Sequence, residues 1–145
     1  MNKRYPKVTP ERSDLMRSVR QKNTTPEVIV RSLLHSLGLR FRIHTALPGT
    51  PDIVLARHKT VIFVHGCFWH RHQGCSRTTS PKIRREFWQQ KFEANIKRDL
   101  NKSRALAQLK LRVLTIWECE TRDPEKLRKK LGRLFRVRAN MLGDN

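Results

Sequence analysis

Three cysteines and a knot of histidines are the residues best suited to do chemistry. The run Cys67-Phe-Trp-His-Arg-His-Gln-Gly-Cys75 holds two of the cysteines, and Cys119 is the only other one. Cys67, His72 and Cys75 are spaced Cys-x4-His-x2-Cys. With Cys119 they make the ligand set of a closed, tetrahedral Cys3His zinc site. Spacing alone also admits His70 in place of His72, as Cys-x2-His-x4-Cys. A long polar loop has little core of its own, and zinc would pin it to a strand far away in sequence. Apparent zinc-binding energies of about 10–16 kcal/mol are enough to order such a loop. The plainer reading makes Cys67 and Cys119 buried apolar thiols and His72 a surface residue. Against it, all three cysteines are used and none is left over. An odd number of cysteines builds no disulfide framework and suits a reducing compartment.

A second constellation involves Asp52 and His65. Asp52-Ile-Val-Leu-Ala and Thr60-Val-Ile-Phe-Val-His65 are apolar runs joined by Arg57-His58-Lys59, and they read as an antiparallel hairpin at the centre of a sheet. A turn centred between His58 and Lys59 pairs position 52 with position 65. Residues so opposed have Cβ atoms about 4.5–5.5 Å apart. A carboxylate there can bind Mg²⁺, which prefers hard oxygen ligands. A neighbouring imidazole can move a proton or contact a phosphate. The alternative is that Asp52 only caps the turn after Pro51.

The third constellation is aromatic. Phe68 and Trp69 follow Gly66-Cys67 in a polar loop, and Trp88 lies on a basic helix where Trp88, Asn95 and Asp99, spaced 7 and 4, share a face. Aromatic side chains of a basic protein can wedge between bases, at least cost where a mismatch already weakens the stack. They can equally be core residues, and Trp117, mid-strand, reads as core.

These residues need elements to place them. Residues 1–12, with Pro6 and Pro10, read as a flexible basic arm, and residues 13–145 as a single domain. A short helix is expected from Ser13 to about Gln21. Residues 26–37 read as a helix, with Thr25 as cap, Pro26 in its first turn and Gly38 at its exit; Thr24 with Glu27 is an alternative capping pair. Residues 39–44 alternate as a half-buried strand does, and residues 48–51 form a tight turn. Residues 66–81 form a long loop, of the kind that carries function or a metal. Helices follow from about Pro81 to Asn101 and on to Leu109, then a strand from Arg112 to Cys119, then a last helix from Asp123-Pro124. Leu127, Leu131, Leu134, Phe135 and Arg138 lie on its apolar side. The order predicts an α/β fold, a mixed central sheet flanked by helices.

Charge sets the partner. Thirty-two Lys and Arg against twelve Asp and Glu give a formal net charge of +20, spread along the chain. A polyanion is expected to offset that self-repulsion. No stretch approaches the roughly 18 apolar residues of a membrane span, and the Met-Asn-Lys-Arg-Tyr-Pro start has no signal-peptide core. The expected address is the bacterial-type cytoplasm, on DNA or RNA, with no membrane partner.

Several of these runs, taken together and in register, resemble a known family. Asn23-Thr-Thr-Pro-Glu27, Leu-Pro-Gly-Thr-Pro-Asp52, Val61-Ile-Phe-Val-His-Gly-Cys-Phe-Trp-His70, Glu86-Phe-Trp88, Asn95-Ile-Lys-Arg-Asp99 and Arg112-Val-Leu-Thr-Ile-Trp-Glu-Cys119 resemble the very-short-patch repair (Vsr) endonucleases over about residues 11–125. The resemblance implies a restriction-endonuclease-like fold that nicks double-stranded DNA 5′ to the T of a T·G mismatch left by deamination of 5-methylcytosine. It implies Asp52 and the Val64 carbonyl on a catalytic Mg²⁺, His70 as general acid/base with His65 beside it, and Glu27 and Asp99 in support through water and hydrogen bonds. It places Cys67, His72, Cys75 and Cys119 on a structural Zn²⁺. Phe68, Trp69 and Trp88 would intercalate from the major groove and Met16 would press from the minor groove. A monomer is expected, with mismatch-repair proteins as further candidate partners.

The chain departs from its relatives in places. Phe63-Val-His65 stands where the wider nuclease superfamily has an acid-x-Lys, Val64 where relatives often carry Thr, and Lys110-Leu111 where Gly-Trp is common. Two residues, Gln73 and Gly74, separate His72 from Cys75 where some relatives have one. Three rivals remain: a nuclease of the same fold without mismatch preference, a non-catalytic zinc-stabilised DNA-binding module, and a basic RNA-binding protein.

Overall fold

A computed structural model of the chain describes residues 23–137. The expected arm, the helix at 13–21, Met16 and Arg138 lie outside the described residues. Helix α1 spans Thr25–Ser36, strands β1, β2 and β3 span Arg42–Ile43, Ile53–Leu55 and Thr60–His65, helix α2 spans Arg85–Gln108, strand β4 spans Arg112–Trp117, and helix α3 spans Pro124–Leu134. The sheet order is β1-β2-β3-β4, with β3 and β4 parallel and the other pairs antiparallel. It is the mixed sheet flanked by helices that the element order predicts.

Side-chain alternation sorts the two faces. Ile53, Leu55, Ile62 and Ile116 pack with Val30 and Leu34 of α1 and Leu127 and Leu131 of α3. Val54, Val61 and Phe63 face the other way and pack with Leu106 of α2. Burying both faces is why these strands read as near-continuous apolar runs. Parallel β3 and β4 need a crossover, and α2 supplies it.

Four local expectations are corrected. The hairpin pairs Ile53 with Ile62 and Leu55 with Thr60, so Asp52 is not opposite His65. A 3-10 turn at Ala56–His58 and a left-handed Lys59 (φ 49°) make a four-residue connection in place of the expected three and shift the register by two. A slip of two keeps each side chain on its face but moves the partner along the ladder. Helix α1 is capped by Thr24, whose side chain accepts from the Glu27 amide, so the alternative cap holds. Helix α2 starts only at Arg85 and runs unbroken to Gln108. Strand β4 ends at Trp117, which puts Cys119 in a 3-10 turn at Glu118–Arg122.

Candidate active site and metal centre

The loop after β3 folds back on itself and builds two clusters side by side. In the first, one ligand atom each from Cys67, His72, Cys75 and Cys119 lies within 4.8 Å of all the others. Zn–S bonds of about 2.3 Å set tetrahedrally hold sulfurs about 3.8 Å apart, so the quartet fits zinc with little movement. The structure selects His72 over His70. The His72 amide donates to the Cys67 carbonyl and its own carbonyl accepts from Thr78 Oγ1 at 2.6 Å. The three thiols differ in environment. Burial pushes Cys67 up to about 12 and raises Cys119, whereas the Arg77 amide brings Cys75 down to about 7. A divalent cation would remove the thiol protons that burial otherwise retains.

The second cluster is His65, His70 and Asp99. The two imidazoles stack with centroids 3.8 Å apart and planes 6° from parallel. His70 Nδ1 meets Asp99 Oδ2 at 2.7 Å. A carboxylate there requires the proton on Nδ1 and leaves Nε2 to accept one. Burial, then the neighbouring His70, lowers His65 to about 4, so its ring is neutral at ordinary pH. These three residues line a cavity of about 220 Å³ with Phe63, Lys102 and Trp117.

Asp52 reaches the same end of the sheet by a different contact from the one expected. The Val64 amide donates to Asp52 Oδ2 at 2.7 Å, and His65 is the next residue. Asp52, His65 and His70 therefore lie on one short path. Burial raises the Asp52 carboxyl to about 6, and Glu27 pushes it further up while the Val64 amide opposes. Glu27 is itself buried; its Oε2 accepts from the Asn23 amide and from Arg31. Among the described residues the Val64 amide is the sole hydrogen-bond donor to Asp52. A half-buried carboxylate with one donor and a second acid nearby could hold a hard cation.

Helix α2 holds the loop in place along one face, as its spacing predicts. Asn95 Nδ2 donates to the Trp69 carbonyl at 3.2 Å, and Asp99 takes His70. Trp88 lies 5.6 Å from Trp69 and 5.8 Å from Phe68, centroid to centroid. Trp88 is buried beneath the half-buried Phe68 and Trp69. Two positioning residues went unseen in the sequence. Arg71 lays its guanidinium over Phe92 at 4.0 Å and donates to the Thr79 carbonyl and Ser80 Oγ. Trp117 is no mere core residue: half-buried, it stacks on His72 at 4.2 Å and meets His65 edge-on at 5.5 Å. It forms the wall between the clusters. Arg71 carries no sequence signal beyond its place between two histidines.

Known proteins are similar to this chain over most of its length. A family model for the DNA mismatch endonuclease Vsr matches residues 6–77. The chain is 52% identical over 127 residues to the type II nicking enzyme V.XorIIP of Xanthomonas oryzae, covering 86% of this chain and 93% of that protein. It is 40% identical to the type II nicking enzyme V.NmeAIP of Neisseria meningitidis over 88% of this chain and 91% of that one. It is 44% identical to the DNA mismatch endonuclease Vsr of Escherichia coli over 80% of this chain and 74% of that one.

Proposed function

Because the chain belongs to the Vsr family of DNA endonucleases, we propose that it nicks DNA 5′ to the T of a T·G mismatch left by deamination of 5-methylcytosine. The observation that carries this reading is the His70–Asp99 pair stacked on His65, one residue from the Asp52–Val64 contact. One such cluster, in a protein acting as a monomer, cuts one strand.

Asp52 and the Val64 carbonyl would hold Mg²⁺, with Glu27 adding negative potential, and the ion would supply charge stabilisation at the scissile phosphate. His70 Nε2 takes a proton from the attacking water or gives one to the leaving oxygen. Asp99 fixes the ring and its tautomer through Nδ1, as an orienting carboxylate does in other nucleophile–base systems. His65, neutral and flat against it, keeps the ring from turning away. Cys67, His72, Cys75 and Cys119 would hold Zn²⁺, which would fix the loop that carries His70. Phe68 and Trp69 open the mismatched step, with Trp88 as the buried base of that wedge, and Met16 approaches from the other groove. The fold is restriction-endonuclease-like over residues 13–145, and the protein works on nucleoid DNA, with mismatch-repair proteins as partners.

The test uses a T·G duplex with Asp52→Ala and His70→Ala. Each is expected to lower the single-turnover nicking rate by at least about 10²-fold, with duplex affinity within a few-fold. Wild-type-like cutting by either would remove that residue from the mechanism. The names of the two nicking-enzyme relatives favour a second reading, a nicking enzyme without strict mismatch preference.

A further inference from the structure

Asp99 is not the end of the row on α2. Three positions further on, Lys102 extends the stripe Trp88, Asn95, Asp99 by almost one turn. Lys102 lines the cavity shared by His65, His70 and Asp99. Its stem is held in an unusual way. Gly49, at φ 75°, lies so close that a Cβ there would sit 2.5 Å from Lys102 Cγ and 2.7 Å from Cδ. The Leu47–Thr50 turn, closed by the Thr50 amide on the Leu47 carbonyl, thus presses on the alkyl chain beside the cavity. Asp99 is the acid among the cavity's lining residues, and it is taken by His70. Among the described residues no carboxylate pairs with Lys102.

A lysine whose stem is packed and whose charge has no carboxylate partner among the described residues, at a largely apolar cavity that also holds two imidazoles, is placed to take an anion. We propose that the Lys102 ammonium binds a non-bridging oxygen of the scissile phosphate and is a further catalytic group of this nuclease. The proposal rests on the cavity being the nuclease centre. A compact point charge suits the charge that builds on a phosphoryl oxygen as the bond to the leaving group breaks. A purely structural lysine would act through its stem alone, and methionine, similar in length and apolar, would replace it.

The experiment compares the full chain with Lys102→Met and Lys102→Arg. Single-turnover nicking of a T·G duplex is measured with Mg²⁺, duplex affinity from 50 to 200 mM salt without added Mg²⁺, and thermal midpoint alongside. Lys102→Met is expected to slow nicking at least about tenfold and to reduce the slope of log K against log salt by about 0.9, one phosphate contact. Its midpoint should match the wild type. Lys102→Arg should keep the slope and most of the rate. Wild-type rate and slope in Lys102→Met would overturn the proposal. So would a slower rate that comes with a lower midpoint and an unchanged slope. If the wild type nicks no duplex, the reading of the cavity fails, and the salt slope still decides whether Lys102 meets a phosphate.

Discussion

His70 depends on what surrounds it. An imidazole at the end of a loop can present either nitrogen, and Asp99 removes that choice by taking Nδ1. The Asp52 carboxyl carries a different dependence. Burial holds it up to about 6, above the usual carboxylate range, so its neutral form persists into mildly acidic solution. A cation needs the ionised form, which is present above about pH 6 and lost as pH falls below it. His65, lowered to about 4, stays neutral across that window and adds no charge change. Single-turnover nicking should therefore fall about tenfold per unit below pH 6 at limiting Mg²⁺. Raising Mg²⁺ should move that limb to lower pH, since the cation and the proton compete for the same oxygen. A pH–rate profile at two Mg²⁺ concentrations checks this; a limb that ignores Mg²⁺ would assign the titration to a group other than Asp52.

At the level of elements, one loop is asked to hold two sites although it has almost no core. Its anchors are the quartet on one side and α2 on the other, with Trp117 between. Much of this was legible. Spacing with a distant Cys119 predicted a Cys3His set with His70 or His72 as its imidazole, the family resemblance pointed to His72, and the 7 and 4 spacing predicted one shared face of α2. What the sequence hid was geometry without a residue signature. Lys59 takes a left-handed conformation that asparagine or glycine would have advertised, so the hairpin register was misread by two. Trp117 ends β4 and looks like any buried strand residue, because only the fold brings His65 and His72 to its two sides. Lys102 looked like one charge among many; only the close approach of Gly49 singles it out. Cys119→Ala should bring zinc content well below one per chain and lower the thermal midpoint by about 10 °C, a loss of roughly 3 kcal/mol. Nicking should fall with it, because His70 rides on the same loop. Metal analysis with melting curves checks this, and a metal-free variant of full activity would separate the two clusters.

The whole molecule is a strongly basic body with its chemistry gathered at one end of a four-stranded sheet. Charge of +20 brings any duplex to the surface, and most of that attraction ignores sequence. In the proposed reading, specificity comes from the aromatic group over α2, because insertion is cheapest at a weakened base step. No helix among the described residues is long and apolar enough to cross a membrane, so nothing in those helices competes with DNA as the partner the charge favours. The comparison that bears most directly on the account sets one T·G duplex against its matched T·A and C·G counterparts in the same flanking sequence, under single turnover with Mg²⁺. The account predicts a nick on the T strand, 5′ to the mispaired T, at a rate at least about tenfold above either matched duplex, a difference of about 1.4 kcal/mol or more in barrier. Equal nicking of all three, or cutting of both strands, would contradict it.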